Sequence, residues 1–133
     1  MTETRRRIAS GGPYEARFGY SRAVVDGDTC WVSGTTDAGP GGASLHPDDV
    51  AAQARASWEI VGRALADAGF DLADVVRTRM YVVEVDDSAA VGEVHGEVFG
   101  DIRPASTMVQ VAGLVHPSLL VEVEAEARRR ARE

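Results

Sequence analysis

The chain has 133 residues, of which 44% are hydrophobic, and it carries a formal net charge of −7. This length suits one domain, residues 1–133, and the ordinary apolar share favours a globular fold over disorder. The acidity argues against nucleic acid as a partner, because phosphate recognition calls for a basic surface. All fourteen cations are arginines, which excludes a lysine Schiff base and a P-loop lysine.

The sequence gives no sign of a disulfide or a membrane segment. Its single cysteine, Cys30, lies in an apolar run and is predicted to be a small buried residue. The basic amino-terminal segment is not followed by an apolar stretch, so it does not resemble a signal peptide. No apolar run approaches membrane-spanning length. We therefore expect a cytoplasmic protein.

The first half of the chain predicts strands, then a helix. Arg5–Ser10 is a candidate strand, and residues 11–19, with three glycines and a proline, are predicted to be a loop. Tyr20–Val25 and Thr29–Thr35 favour β-structure on either side of an Asp-Gly pair, which predicts a hairpin. A glycine-rich loop follows at 36–46, without the spacing of a phosphate-binding motif.

Two helices and a strand follow. Residues 47–49, Pro-Asp-Asp, open a helix that ends at Gly69, and its apolar residues recur every three or four positions. Val75–Val85 is predicted to be a strand with Arg77 and Arg79 on one face, either solvated or paired with acids of the last strand. Ser88–Phe99 is predicted to be the second helix, begun by an acidic capping cluster.

The stretch Arg103–Ala127 alternates polar and apolar residues in two runs separated by a Gly/His/Pro break. That pattern predicts two half-buried strands joined by a turn, with Glu122, Glu124 and Glu126 on one face. Unpaired carboxylates are costly to bury, so this face needs solvent, cations or a polar cleft. We expect one wall of any functional site here.

The predicted element order is β-β-β-α-β-α-β-β. It indicates an α+β fold with one mixed six-stranded sheet and two helices on one face. The other face would be left partly apolar, which predicts self-association.

Candidate chemistry is limited to a few polar residues near the predicted strand ends. The three histidines lack metal-binding spacing, and no serine-hydrolase elbow occurs, so neither a metal site nor that enzyme class is expected. A small polar cleft remains possible, in which Glu122 would act as acid or base. The residues proposed to line it are Tyr20, Ser33, Ser106, Thr107 and Glu122.

Several segments resemble the Rid family (RidA, YjgF, also described as endoribonuclease L-PSP) over nearly the whole chain. GYSRAV is similar to the family's GPYSQAV-like segment, and DTCWVSGTT to its strand ending in SGQ or SGT. DDVAAQARASWEIVGRALADAGFDLADVVRTRMYV resembles the family's long helix and following strand. RPASTMVQVAGL with LVEVEAEA resembles its signature, R-P-A-R-S-x-V-x-V-x-x-L followed by V-E-I-E-A-x-A.

The resemblance implies a chorismate-mutase-like fold and a homotrimer with a cleft at each subunit interface. It also implies cofactor-free hydrolysis of a reactive enamine or imine, such as 2-aminoacrylate, to a 2-oxo acid and ammonia. By position, Tyr20, Ser33 and Thr107 correspond to cleft residues of the family. Glu122 corresponds to the residue that positions or activates water.

One departure bears on the substrate. The family's signature has an arginine, which grips the substrate carboxylate, where this chain has Ser106. Its loss is expected to weaken carboxylate recognition by about two orders of magnitude, so we predict little 2-aminoacrylate deaminase activity. Arg22 and Arg79 are the candidates to replace it, and the sequence places neither.

Three functional hypotheses therefore stand after sequence analysis. The first is a hydrolase or deaminase acting on an imine, enamine or related metabolite that need not carry a carboxylate. The second is a non-catalytic trimer that binds a small ligand or regulates another enzyme. The third is a ribonuclease, which the acidity disfavours.

Overall fold

The computed structural model describes residues 5–130 and contains one six-stranded mixed sheet. Its strands are β1 (Arg6–Ile8), β2 (Ala23–Asp26), β3 (Thr29–Thr35), β4 (Val75–Val82), β5 (Ala105–Gln110) and β6 (Val121–Arg128). Its helices are α1 (Glu15–Phe18), α2 (Val50–Asp67) and α3 (Ser88–Phe99). The spatial order is β1-β2-β3-β6-β4-β5, with only β4 and β5 parallel. The predicted α+β class and six-stranded mixed sheet are confirmed.

The β2–β3 hairpin forms where the Asp-Gly signal predicted it. Asp26 pairs with Thr29, so Gly27 and Asp28 form a two-residue turn. Gly27 has a φ of +60°, a conformation that costs glycine little and that such turns require. Cys30, the second residue of β3, is fully buried, as predicted, and burial raises the pKa of its thiol to about 11.

Helix α2 covers the middle of the sheet with the apolar stripe read from the sequence. The side chain of Asp49 caps its first turn by accepting a hydrogen bond from the Ala52 amide at 3.0 Å. Gly69, with a φ of +84°, ends it. Its stripe packs against β3, β6 and α3, which excludes water from that face. The buried members of the stripe are Ala54, Trp58, Val61, Leu65 and Ala68.

The predicted turn between the last two strands is wrong. Strand β5 lies at the sheet edge beside β4, whereas β6 lies between β3 and β4, so the two strands never pair. Helix α3 connects β4 to its parallel neighbour β5, as such a crossover requires. Residues 111–120 then carry the chain across β4, a connection too long for a tight hairpin.

Buried Gln53 on α2 holds that long connection in place. Its amide nitrogen donates to the carbonyls of His46 and Ser118 at 3.1 and 3.0 Å. Its amide oxygen accepts from the Leu120 amide at 2.8 Å. Because every polar atom of this side chain is used, it fixes the point at which β6 begins. Glu122 is the second residue of that strand.

The sheet face away from the helices is partly apolar, and it carries glutamates of β6 that are paired with β4. Two glutamates of β6 accept hydrogen bonds from β4, Glu126 from Arg79 at 3.0 Å and Glu124 from the Tyr81 hydroxyl. Trp31, 45% exposed, is an apolar residue on this face. The face is therefore a charged ladder with apolar residues beside it, because β4 supplies partners for the acids.

The loop prediction for residues 11–19 differs in detail, and the loop at 36–46 is present as predicted. Residues 15–18 within the predicted loop 11–19 form the short helix α1, ended by Gly19 at a φ of +78°. The glycine-rich loop at 36–46 is anchored by buried Asp37, which accepts from the Ser44 hydroxyl at 2.8 Å and the His46 amide at 3.1 Å.

The amino-terminal segment, which does not resemble a signal peptide in sequence, begins with residues 1–4, and these lie outside the described range. No helix within residues 5–130 is long and apolar enough to cross a membrane.

Candidate active site

A β-bulge in β3 creates the floor of the candidate site. Val32 pairs with Ala125 of β6 and Thr35 with Val123, so β3 holds one more residue than its partner over this interval. The irregularity contains Ser33 and Gly34. A bulge re-aims side chains and is common beside functional sites.

Glu122 lies directly over this bulge. A Cβ atom added to Gly34 would overlap the carboxylate oxygen Oε2 of Glu122 and lie 3.2 Å from its Cδ. Only glycine therefore leaves room for the carboxylate. The Ser33 hydroxyl donates to the carbonyl of Ser21 at 2.6 Å, which fixes its orientation beside the glutamate.

A cavity of about 790 Å³ opens above these residues. Tyr20, Ser33 and Glu122, three of the five residues singled out from the sequence, line it together. Helix α1 supplies an aromatic wall, in which the rings of Tyr14 and Phe18 stack with centroids 5.4 Å apart. The size and the apolar wall with a few polar groups suit a small organic molecule.

Arg22 lies in the wall between this cavity and a neighbouring one of about 560 Å³. Its Nη2 donates to the carbonyl of Gly34 at 2.6 Å, and its Cζ lies 5.7 Å from the Tyr20 ring centroid. Glu15 of α1 lines the same cavity and accepts hydrogen bonds from the amide and hydroxyl of Ser10. Both charged side chains are largely buried, Arg22 at 9% exposure and Glu15 at 6%.

The two carboxyl groups of the cavity have opposite pKa shifts. Burial raises the pKa of Glu122 above its usual value; the Arg22 charge opposes this rise and Glu124 adds to it. Burial also pushes upward on the pKa of Glu15, but the hydrogen bonds from Ser10 and the charge of Arg22 outweigh it and lower that pKa. Carboxyls with separated pKa values suit different roles, and the raised pKa makes Glu122 the stronger proton acceptor of the two.

The other two predicted site residues lie elsewhere in the chain. Ser106 and Thr107 belong to edge strand β5, with β4 between them and β6. The Ser106 hydroxyl accepts a hydrogen bond from buried Thr78 at 2.8 Å, on the helix side of the sheet. Thr107, on the opposite side, accepts from Arg77 at 2.8 Å. Within one chain the structure therefore divides the predicted set of five into three and two.

Sequence analysis left Glu15 out of the site and named Arg22 as one of two candidates to replace the missing arginine, without placing it. The position of Arg22 was detectable, because it is two residues from Tyr20 and therefore on the same side of an extended chain. Its carbonyl accepts from the Ser33 amide at 2.9 Å, which places the two residues side by side. Glu15 gave no such signal, because only the folded loop brings it to the cavity. Within residues 5–130 no cluster of three or more His, Cys, Asp or Glu residues is arranged to hold a metal ion.

Comparison with known proteins finds a matching family model and several similar proteins. The family model described as Endoribonuclease L-PSP matches residues 13–129. The chain is 38% identical over 130 residues to "Uncharacterized protein SCO2049" of Streptomyces coelicolor, covering 98% of this chain and 96% of that protein. It is 33% identical over 128 residues to the 2-iminobutanoate/2-iminopropanoate deaminase of Rattus norvegicus, covering 96% and 93%.

A solved structure agrees with these sequence matches. The crystal structure of Rv2704 from Mycobacterium tuberculosis, described as a member of the YjgF/YER057c/UK114 family, superposes with a TM-score of 0.86. The two sequences are 46% identical, and the match covers 95% of this chain and all of that one. Fold and sequence thus point to the same group of proteins.

Proposed function

The chain belongs to the Rid family, the YjgF and endoribonuclease L-PSP group, and on that premise we propose that it hydrolyses a small imine or enamine in the cavity faced by Glu122. The observation that carries this proposal is a glutamate of raised pKa, seated over a glycine bulge and within a cavity of small-molecule size. A relative named as a 2-iminobutanoate/2-iminopropanoate deaminase supports the reaction class.

The proposed reaction converts an imine and water into a carbonyl compound and ammonia. The imine enters as its protonated iminium form. Glu122 accepts a proton from water as the water oxygen bonds to the iminium carbon, and the C=N electron pair moves to nitrogen, which gives a neutral carbinolamine. The protonated Glu122 then gives its proton to that nitrogen, and the C–N bond breaks as the carbinol O–H proton passes back to Glu122 and on to the released ammonia, so that the C=O bond forms. An enamine enters the same sequence after protonation at carbon. Such proton transfer by a positioned group contributes roughly 10²–10⁴-fold to the rate.

Tyr20 and Ser33 have binding roles in this proposal. Tyr20, 41% exposed at the cavity, presents a ring edge and a hydroxyl to a ligand. Ser33 presents a hydroxyl oxygen as an acceptor, since its proton is donated to Ser21. These neutral groups suit a small polar molecule.

The substrate we propose lacks a carboxylate grip of the usual kind. Among the cavity-lining residues of the described chain the single cation is Arg22, which is nearly buried and bonded to Gly34. Ser106 stands where an arginine would bind a carboxylate by a charge-assisted pair. We therefore expect imines without an α-carboxylate to be turned over faster than 2-iminopropanoate.

We also propose that the active form is a homotrimer whose copies share each site. Ser106 and Thr107 lie on exposed edge strand β5, which β4 separates from Glu122 of the same chain. A site at a subunit interface would bring them to the Glu122 of a neighbouring copy. Trp31 and Val109, each 45% exposed, offer apolar surface for such contact. Light scattering that gives a monomer at assay concentration would contradict this arrangement.

Turnover is tested on two imines generated in the cuvette, one with and one without a carboxylate. Alanine and an amino-acid oxidase supply 2-iminopropanoate, and isopropylamine with an amine oxidase supplies a carboxylate-free ketimine. Ammonia release is compared for the wild type, Glu122→Ala and the matched control Glu126→Ala, which changes the same strand face outside the cavity. We expect acceleration that Glu122→Ala abolishes and Glu126→Ala retains.

A different outcome would favour the non-catalytic hypothesis. If neither imine is hydrolysed faster than in buffer, while the wild type binds a ketone such as acetone with ligand-induced NMR shifts at Tyr20 and Ser33, the cavity is a binding site. Equal rates for Glu122→Ala and wild type would show that this carboxylate is not the proton carrier. The ribonuclease hypothesis has the least support, because the net charge of −7 opposes phosphate binding.

A further inference from the structure

The buried guanidinium of Arg22 has no evident purpose as a structural ion pair. Within residues 5–130 its single hydrogen bond is to the carbonyl of Gly34, and its Nε is buried without a partner. A buried, incompletely satisfied arginine is costly to maintain. Such a group is retained where its charge acts on a neighbour, and the neighbours here are carboxylates.

The geometry points to Arg22 as the positioning residue that keeps Glu122 ionised and aimed at the cavity, rather than as a ligand-binding cation. This inference rests on the proposed function for Glu122 as the proton carrier. On this inference Arg22 does not replace the arginine that is absent at Ser106, because the charge of Arg22 acts on Glu122 of the protein and not on the substrate.

Both side chains converge on the same residue of the bulge. The guanidinium binds the Gly34 carbonyl at 2.6 Å, while the Glu122 carboxylate occupies the space beside the Gly34 Cα, where a Cβ would stand. Opposite charges held at one peptide attract each other, and the partial burial of both groups makes that attraction stronger than it would be in bulk water. The bulge therefore fixes the relative position of cation and base.

The hydrogen-bonding pattern of Arg22 does not suit a bidentate grip on a substrate carboxylate. The side chain is 9% exposed, its Nη2 donates inward to the bulge, and its Nε has no solvent exposure. A bidentate grip on a carboxylate needs two parallel N–H groups directed at the ligand. A guanidinium with this orientation acts at a distance, through its charge.

The other charged groups around Glu122 act against Arg22. Glu124, next on the same face of β6, disfavours ionisation of Glu122, and burial has the larger effect in the same direction. Tyr81 of β4 also feels the Glu122 charge. Glu15 of α1 faces Arg22 and shares its charge. Arg22 is thus the favourable charge for Glu122 among these neighbours, and its removal would leave burial and repulsion unopposed.

The test substitutes the residue found in the family's GPYSQAV-like segment. Arg22→Gln removes the charge while keeping a hydrogen-bond donor for the Gly34 carbonyl, and Arg22→Lys keeps the charge. The side-chain carboxyl of Glu122 is followed by carbon NMR across a pH titration, with Glu122→Gln used to assign its signal. Arg79→Gln is the matched control, because it removes a cation of the same sheet that contacts Glu126 instead.

We expect Arg22→Gln to raise the titration midpoint of Glu122, and Arg22→Lys and Arg79→Gln to leave it near the wild-type value. In the imine assay the acid limb of kcat should move upward with it, so that the rate below the limb falls about tenfold per pH unit of displacement. A Glu122 midpoint unchanged in Arg22→Gln would overturn the inference. If Arg22→Gln fails to fold, the titration midpoint of Glu122 is measured in Arg22→Ala and Arg22→Lys instead. A raised midpoint in Arg22→Ala with a wild-type midpoint in Arg22→Lys would support the inference, and a wild-type midpoint in both would overturn it.

The NMR readout needs no substrate, so it separates the two proposals. A displaced midpoint without imine turnover in the wild type would contradict the proposed reaction and leave the effect of Arg22 on Glu122 established. Turnover with an undisplaced midpoint would support the reaction and overturn the role of Arg22.

Discussion

Strand β6 carries three glutamates on one face, and the surroundings of these glutamates differ between the two ends of the strand. Glu124 and Glu126 accept hydrogen bonds from Tyr81 and Arg79 of the adjacent strand. Glu122 faces the cavity, and within the described chain its carboxylate has no ion-pair partner at 4.0 Å or less. Period-2 spacing thus decides the face, whereas the β3 bulge decides which glutamate remains chemically free.

The largest difference between the two ends should be in turnover. Glu122→Gln removes the proton carrier without changing side-chain size, so we expect kcat for imine hydrolysis to fall roughly 10²–10⁴-fold. Glu126→Gln at the other end should leave kcat within about twofold. Ammonia release under saturating imine measures both, and comparable losses in the two variants would remove the distinction.

The bulge itself is tested by adding one methyl group. In Gly34→Ala the new Cβ would overlap the Glu122 carboxylate, which must move. We expect a loss of about 1–3 kcal/mol in the free energy of unfolding, as for other overpacked sites, together with reduced turnover. Urea denaturation gives the first quantity. The control is Gly62→Ala on α2, where an added Cβ meets no atom within 4 Å. If Gly34→Ala had the stability and turnover of the wild type, the bulge would have room for the added methyl group.

A smaller effect should appear in stability against pH. Because the folded-state pKa of Glu122 lies above its ordinary value, the folded state holds this proton more tightly than the unfolded chain does. Wild-type stability therefore falls as pH rises from 4.5, the ordinary value, through the folded-state pKa. Glu122→Gln should escape this loss and be more stable than the wild type above that window. Thermal unfolding of both proteins at pH 4 and pH 8 measures the difference, and equal stabilities at pH 8 would contradict it.

The smallest effect belongs to the paired end of the strand. Arg79 and Glu126 are 3.0 Å apart with each side chain 37% exposed. Exposed pairs contribute little, so Arg79→Gln should change the free energy of unfolding by about 0.5 kcal/mol or less. Chemical denaturation at low and at high salt checks this value. A loss above about 1 kcal/mol would mean that the ladder is a structural element comparable to the core.

Much of the fold followed from local patterns that tertiary contacts did not override. Three predictions that depend only on neighbouring residues were confirmed. They are the Asp-Gly turn, the apolar stripe of α2 and the bounds of helix α3, Ser88–Phe99. The pairing of β5 and β6 was wrong, because two alternating runs show that strands exist and do not show what lies between them. Here the intervening element is β4, which is distant in sequence.

In the candidate site, too, some residues follow from local sequence patterns and others depend on tertiary contacts. Glu122, Tyr20 and Ser33 were chosen from their positions at strand ends, and the cavity brings them together. Arg22 was named as a candidate replacement for the missing arginine but could not be placed, and Glu15 was not named, because the positions of both at the cavity depend on a bulge and a four-residue helix. A bulge is one added residue in a pairing register, which cannot be seen until both partner strands are known.

The position of β6 also governs how the sheet is completed during synthesis. It is the last of the described strands to leave the ribosome, yet it pairs with β3 and β4 on either side. Until it is available, those two strands present unsatisfied edges, which are the usual templates for aggregation. The strand that carries the proposed proton carrier is therefore also the strand that joins two half-sheets, so a nascent chain stalled before residue 121 would leave the facing edges of β3 and β4 unpaired.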